Sequence, residues 1–175
     1  MRDVYIYDAI RTPRARAKES GGLHDLLPHD LLKVLYEHLV ARTGLDPALV
    51  GDVLLGCVTQ HGEQAGNIAK SSAAYAGWPS SVGGLTVNRF CSSSIDAMGM
   101  GMLRIAAGQE DAIVAGGVEM MSRVPMLADQ AKVFLDPAFA ARCQMLMMGS
   151  GADLIATLND VCRAEADAIA VQSQQ

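Results

Sequence analysis

The chain has 175 residues, of which 50% are hydrophobic but only 5% aromatic, and its formal net charge at pH 7 is −5. This length is sufficient for one hydrophobic core, which aliphatic rather than aromatic side chains must fill. The negative charge and the lack of a basic stretch with interleaved aromatic residues exclude a general nucleic-acid binder, and the apolar runs are too short and too interrupted to span a membrane.

Cysteine and histidine usage gives no sign of a disulfide framework or a metal site. The four cysteines and four histidines show neither CxxC pairing nor a zinc-ligand spacing. Strand-like sequence begins almost at Met1, which leaves no room for a signal peptide and predicts a location in the cytosol. Four free thiols are therefore expected, each by default a small buried apolar group.

The predicted elements alternate between strands and helices. An apolar, β-prone run predicts a first strand from Val4 to about Ile10, which Pro13 ends. The elements that follow are a helix over Pro28–Val40 stopped by Gly44, a strand over Asp52–Val58, a helix over Gln64–Ala76, a strand over Leu85–Val87, a helix over Ser92–Ala107 stopped by Gly108, and a strand over Asp111–Ala115. This alternation is typical of an α/β fold with a mostly parallel sheet.

The helix over Ser92–Ala107 is apolar on nearly every side. Only Asp96 and Arg104 are charged from position 91 to position 107, and such a helix is normally buried on nearly all sides. Gly99 and Gly101 each cost about 1 kcal/mol relative to alanine in a helix interior, a cost that close packing would offset. We therefore expect this helix to lie between two sheets.

The last third of the chain is less regular. The stretch Val124–Gly149 is rich in methionine and has no clear period, whereas Gly151–Leu158 and Arg163–Gln175 are predicted helices. The last helical pattern reaches Gln175 without a stop signal, so we expect the chain to be cut inside an element.

Cys91 stands at the point where a predicted strand turns into the apolar helix. Unpartnered amides and the helix dipole stabilise an anion at a helix N-terminus, so a thiol placed there ionises more readily to the nucleophilic thiolate. Ser92, Ser93 and Ser94 are small enough to admit a substrate carbonyl and can cap the first turn. A buried structural cysteine remains the alternative on these grounds alone.

The residues around Cys91 resemble the acyl-enzyme signature of the thiolase family. The resemblance covers Val87-Asn88-Arg89-Phe90-Cys91-Ser92-Ser93-Ser94-Ile95-Asp96-Ala97-Met98, with Ile105 beyond it. Three further segments resemble the same family in the same order, namely Arg11-Thr12-Pro13, Gly116-Gly117-Val118-Glu119-Met120-Met121-Ser122 and Met148-Gly149. Other condensing enzymes of the superfamily place a cysteine similarly but differ in the residues around it.

The resemblance implies a fold and a domain division. It implies the N-terminal half of an αβαβα layered sandwich, with a mostly parallel mixed sheet and helices on both faces. Residues 1–121 would form an incomplete core domain, lacking its last strand, and residues 122–175 the beginning of the inserted loop domain.

The resemblance also implies the chemistry. Cys91 would carry the acyl group during thiolysis of a 3-ketoacyl-CoA or the reverse Claisen condensation, a reaction used in fatty acid metabolism. Met148 would lie near the acyl pocket, and coenzyme A would be a substrate, with no cofactor and no metal. The activating histidine of a Gly-His-Pro motif, the acid/base cysteine of a Cys-x-Gly motif and an Asn-Glu-x-x-Phe segment belong to the absent second half. Family members are homodimers or homotetramers.

Several residues receive no catalytic role. Gly116-Gly117 is interpreted as a packing feature, Glu119 as a residue near the end of the sheet, and His61 as solvated. Cys57 is predicted to lie in the core, while Cys143 and Cys162 stay unassigned. Two alternatives to a thiolase remain: a thiolase-like condensing enzyme of altered chemistry, and a truncated, non-catalytic remnant.

Overall fold

The computed structural model describes all residues from 1 to 175. The chain forms two compact units. The first unit is Met1–Asp129 and the second is Gln130–Gln175. The predicted assignment of residues 122–175 to a loop domain stays a prediction.

The first unit is built on a three-stranded parallel sheet. Its elements are α1 (Pro28–Thr43), β1 (Asp52–Gly56), α2 (Ile68–Tyr75), β2 (Gly83–Val87), α3 (Ser93–Ala106) and β3 (Ile113–Gly117). The strand order is β2-β1-β3, and Leu54 of β1 stands opposite Leu85 on one side and Ala115 on the other. The predicted α/β class with a parallel sheet is therefore confirmed, and its strands are joined by crossover helices.

Helices cover both faces of this sheet because side chains alternate along each strand. Val53 and Leu55 join a core cluster with residues of α1 and α2. Leu54 points the other way, toward α3, where its side chain lies next to Gly101. All three of these β1 side chains are essentially inaccessible to solvent, so β1 is the centre of the core.

The ends of α1 follow from local sequence. Pro28 occupies the first turn, where its missing amide hydrogen costs nothing, and the Asp30 carboxylate accepts a 2.8 Å hydrogen bond from the Leu27 amide. At the other end Gly44 adopts φ +71° and its amide donates to the Val40 carbonyl at 2.9 Å. Glycine adopts this left-handed conformation without a steric penalty, so the predicted stop is confirmed.

The predicted strand from Val4 to about Ile10 is wrong. This segment forms no ladder, and Tyr5, Ile6 and Tyr7 are exposed. It is attached instead at Arg2, whose amide donates to the Ala106 carbonyl at 2.9 Å, and at Asp8, which pairs with Arg42 at 2.7 Å. A strand requires a neighbouring backbone, which local propensity does not supply.

Helix α3 packs on one sheet and exposes its opposite face. Ser93, Ala97 and Gly101 are buried, whereas Ile95 and Leu103 are each 66% exposed. The expectation of burial on nearly all sides is therefore not met in this chain. Gly101 does pack closely, because a Cβ there would lie 3.2 Å from Cγ2 of Ile113, but a Cβ at Gly99 would meet no atom within 4 Å.

The second unit contains four helices, none of which has a buried residue. They are α4 (Lys132–Leu135), α5 (Pro137–Arg142), α6 (Met148–Leu158) and α7 (Arg163–Gln174). The last two correspond to the two predicted helices. No helix in the structure combines the length and hydropathy needed to cross a membrane.

Because Cys57 is buried, the folded protein is expected to lose stability as the pH rises into the alkaline range. Burial and the nearby Glu119 charge raise the pKa of this thiol from 9.0 to about 12. Between these values the unfolded chain loses the proton and the folded chain keeps it, so stability falls as pH rises. In the full-length protein, the stability advantage of wild type over Cys57→Ala should shrink above pH 9, by up to about 1.4 kcal/mol per pH unit.

Denaturant unfolding at several alkaline pH values measures this difference. Burial also raises the pKa of Tyr36 to about 12. Because Tyr36 is present in both proteins, its contribution to the pH dependence cancels in the difference between them. Parallel stability curves for wild type and Cys57→Ala would contradict the prediction.

Candidate active site

Cys91 lies in a tight turn between β2 and α3. Strand β2 ends at Val87, and Ser92 is the N-cap of α3, which begins at Ser93. Cys91 is exposed and follows Phe90, whose φ of +49° lies in the left-handed region that non-glycine residues rarely adopt. The prediction that this cysteine lies where a strand turns into the helix is confirmed, and the residue is exposed to solvent.

Two glycines allow the first turn of α3 to sit over the end of the sheet. A Cβ at Gly56, the last residue of β1, would lie 2.4 Å from the Ser94 amide nitrogen. A Cβ at Gly117, the last residue of β3, would lie 2.1 Å from Ser94 Oγ. Both distances are shorter than real Cβ contacts. The neighbour of Gly56 is backbone, so glycine is required there, whereas a Cβ at Gly117 would displace the Ser94 hydroxyl and would also lie 2.9 Å from the Gly56 carbonyl oxygen. The interpretation of Gly117 as a packing residue agrees with its close approach to the first turn of α3.

Two side chains bind the backbone on either side of Cys91. Asn88 accepts a hydrogen bond from the Phe90 amide at 2.8 Å and donates one to the Val58 carbonyl at 3.1 Å. Ser93 Oγ accepts from the Arg89 amide at 2.9 Å and donates to the Phe90 carbonyl at 2.6 Å. Of the three serines that could cap the first turn, Ser92 is the N-cap residue but its side chain accepts no hydrogen bond from the helix, and the buried hydroxyl of Ser93 bonds back to the turn instead.

A second polar network joins the ends of β1 and β3. Glu119, just after β3, accepts hydrogen bonds from the Val58 amide at 2.9 Å and from Gln64 Nε2 at 2.9 Å. The buried Gln64 also donates to the Thr59 carbonyl at 2.9 Å and accepts from the Met120 amide. Neither Gln64 nor Asn88 has a role that follows from the sequence alone. The only available signal was that Asn88 and Glu119 stand within the family-like segments.

A comparison with known families identifies the architecture. Residues 4–175 match the family described as Thiolase, N-terminal domain. The chain belongs to the thiolase family.

Named thiolases are similar over the whole of this chain. The 3-oxoadipyl-CoA/3-oxo-5,6-dehydrosuberyl-CoA thiolase of Escherichia coli strain K12 is 36% identical, covering 100% of this chain and 47% of that protein. The 3-ketoacyl-CoA thiolase of Colwellia psychrerythraea is 38% identical, covering 100% of this chain and 45% of that protein. This thiolase chain therefore spans about half the length of the curated relatives it matches.

A solved thiolase structure supports the fold. The crystal structure of the Bacillus anthracis acetyl-CoA acetyltransferase matches with a TM-score of 0.56 and 37% identity, covering 60% of this chain and 26% of that one. The prediction of a thiolase N-terminal α/β unit is therefore confirmed.

The second predicted site residue, Met148, lies in the other compact unit of this thiolase chain. It is the first residue of α6, and its side chain is exposed. A role in the acyl pocket stays a prediction. No group of three or more His, Cys, Asp or Glu side chains is placed to hold a metal ion. His61 is exposed, which agrees with its interpretation as a solvated residue.

The remaining cysteines differ from Cys91 in position. Cys57 is buried at the end of β1, as predicted, whereas Cys143 and Cys162 are exposed in the second unit. Cys143 is the C-cap of α5, and Cys162 is the N-cap of α7, a helix with no buried residue.

Cys91 is expected to be the most reactive of the four thiols in this thiolase. It is exposed and precedes a helix whose first residue, Ser93, is buried against the sheet, whereas Cys162 precedes a helix with no buried residue and Cys57 is protected by burial. With limiting iodoacetamide at neutral pH, mass spectrometry of the full-length protein should find Cys91 alkylated first. Faster labelling of Cys57, Cys143 or Cys162 in the folded protein would count against its assignment as the nucleophile.

Proposed function

We propose that the full-length protein is an acyltransferase that cleaves a 3-ketoacyl-CoA with coenzyme A, or catalyses the reverse condensation. The observation that carries this proposal is an exposed cysteine at the N-terminus of α3 in a thiolase chain. The named relatives act on 3-ketoacyl-CoA compounds, which supports the substrate class.

The thiolate of Cys91 attacks the 3-keto carbonyl of the substrate in the first step. The bond between the second and third acyl carbons then breaks, leaving a shortened acyl group as a thioester on Cys91. The departing carbon carries the electron pair as the enolate of acetyl-CoA and takes a proton from an acid. Nucleophilic catalysis of this kind replaces one difficult cleavage by two easier steps.

Free coenzyme A completes the cycle in the second step. Its thiol sulfur attacks the Cys91 thioester, its proton passes to a base, and the Cys91 thiolate leaves. Coenzyme A is thus a substrate, and the reaction needs no cofactor. That base is the same group that gave its proton to the enolate in the first step, so its proton is restored and the cycle closes. In the family this acid/base group is the cysteine of the Cys-x-Gly motif, and the histidine of the Gly-His-Pro motif activates the nucleophile; no residue here matches either motif.

The activity is tested with the protein at its full encoded length. Acetoacetyl-CoA should lose absorbance only when coenzyme A is present, and acetyl-CoA should be the product. Acyl transfer to an acceptor other than coenzyme A would favour a condensing enzyme of altered chemistry. Absence of any acyl transfer by folded protein would favour a non-catalytic remnant.

A reducing compartment suits this chemistry, and we place the protein in the cytoplasm. A thiolate nucleophile is lost when it is oxidised, and all four cysteines are free thiols. Fractionation of cells that express the protein tests this location.

The full-length protein is expected to be a homodimer or a homotetramer. Strand β2 is an edge of the sheet, and its residues Leu85–Val87 are only partly buried. An apolar edge strand invites pairing with a second copy of the same strand. Light scattering at micromolar concentration should give at least the mass of a dimer, and a stable monomer would contradict this prediction.

A further inference from the structure

We propose that Asn88 is a positioning residue for Cys91, an inference that rests on the proposed acyl transfer. Its side chain joins the end of β1 to the turn that carries the nucleophile, and it holds Phe90 in the left-handed backbone conformation that presents Cys91 to substrate. Asn88 itself contacts neither acyl group nor coenzyme A in this role.

The anchor of Asn88 is itself fixed. Its Nδ2 donates to the Val58 carbonyl at 3.1 Å, and the Val58 amide donates to Glu119 Oε2 at 2.9 Å. Glu119 also accepts from Gln64, which is fully buried. These hydrogen bonds hold the end of β1 in place relative to β3. Through its hydrogen bond to Val58, Asn88 connects the turn that carries Cys91 to this fixed part of the sheet.

The turn needs such a restraint because its conformation is unfavourable. Phe90 has φ +49°, where the Cβ of an L-residue is crowded. Asn88 Oδ1 binds the Phe90 amide at 2.8 Å, and Ser93 Oγ binds the Phe90 carbonyl at 2.6 Å. The Ser93 amide also donates to the Phe90 carbonyl at 3.0 Å, so replacing the Asn88 side chain removes the hydrogen bond to the Phe90 amide and leaves those to its carbonyl. The turn can then relax to a negative φ, which rotates Cys91 relative to the start of α3.

The first test is Asn88→Ala in the full-length protein. A displacement of about 1 Å at a reacting atom can lower a rate by roughly 100-fold. We expect kcat for acetoacetyl-CoA thiolysis to fall about 10- to 100-fold, while KM for both substrates changes less than about 3-fold. The rate at which iodoacetamide alkylates Cys91 should fall in parallel. In Asn88→Ser the hydroxyl can still accept a hydrogen bond from the Phe90 amide, but the hydrogen bond to the Val58 carbonyl is lost. Its kcat and its alkylation rate should therefore lie between those of wild type and Asn88→Ala.

A rescue experiment separates positioning from a general loss of stability. Glycine adopts φ +49° without strain, so the restraint from Asn88 matters less in a Phe90→Gly background. Adding Asn88→Ala to that background should cost less than about 3-fold in kcat, against 10- to 100-fold in the native background. Equal losses in the two backgrounds, or no loss in either, would overturn the proposal.

Asn67→Ala is the matched control. Asn67 also binds β2 through its amide, donating to the Gly84 carbonyl at 2.8 Å and accepting from the Thr86 hydroxyl at 2.9 Å, but it makes no bond to the Cys91 turn. Its replacement should leave Cys91 alkylation unchanged, and a decrease equal to that in Asn88→Ala would overturn the proposal. If wild type shows no CoA-dependent turnover, the proposed function fails and the alkylation rates alone decide the role of Asn88.

Discussion

Replacing Cys91 by serine in the full-length protein is expected to lower kcat for acetoacetyl-CoA thiolysis by about 10⁴-fold or more. A hydroxyl is a far weaker nucleophile than a thiolate at neutral pH, and no acyl-enzyme can then form at a useful rate. The substitution is nearly isosteric and Cys91 is exposed, so folding should not change. Steady-state kinetics on matched amounts of folded protein measure the effect.

Cys143→Ser is the control for this prediction. Cys143 is also an exposed free thiol, but it lies at the C-cap of α5 in the second unit and matches no catalytic position. Its variant should keep kcat within about twofold of wild type, as is usual for a surface substitution away from the chemistry. Retention of more than about a tenth of wild-type kcat by Cys91→Ser would remove Cys91 from the nucleophile's role.

Residues 1–175 expressed alone are expected to give no detectable thiolysis. No histidine here stands in a Gly-His-Pro motif and no cysteine in a Cys-x-Gly motif, so the isolated segment has no counterpart of the family's base and acid. The outer face of α3 also exposes Ile95 and Leu103. Burial of apolar surface stabilises a fold by about 25 cal/mol per Å², so leaving one face of this helix exposed loses several kcal/mol of stabilisation. That loss is comparable to the net stability of a domain.

The measurement compares residues 1–175 with the full-length protein under the same conditions. The segment should be poorly soluble or lack fixed tertiary packing, and should cause no CoA-dependent loss of acetoacetyl-CoA absorbance. Robust turnover by the purified segment would show that the family's second half is dispensable, and the division of catalytic roles proposed above would be wrong.

Local sequence signals were sufficient for most elements of the first unit. The stop signals at Gly44 and Gly108 both appear as left-handed glycines at helix ends. The three strands of the sheet overlap their predicted ranges, and their ends differ from the predicted ends by at most two residues. The predicted strand at Val4–Ile10 failed because strand formation depends on a neighbour that a local pattern does not contain.

The site was only partly predictable for a related reason. The position of Cys91 between a strand and a helix follows from adjacent residues, and it was correctly predicted. The bonds from Gln64 to Glu119 and from Asn88 to Val58 join residues 55 and 30 positions apart. Such contacts exist only after β1, β2 and β3 align their carboxyl ends, so no spacing rule reveals them.

Trapping the acyl-enzyme tests directly whether Cys91 carries the acyl group. Full-length protein is mixed with acetoacetyl-CoA in the absence of free coenzyme A, quenched in acid, digested and analysed by mass spectrometry. We expect one acetyl group on the peptide that contains Cys91, and adding coenzyme A before the quench should remove it. An acetyl group on Cys57, Cys143 or Cys162 instead, or thiolysis with no acylated cysteine at any time point, would contradict it.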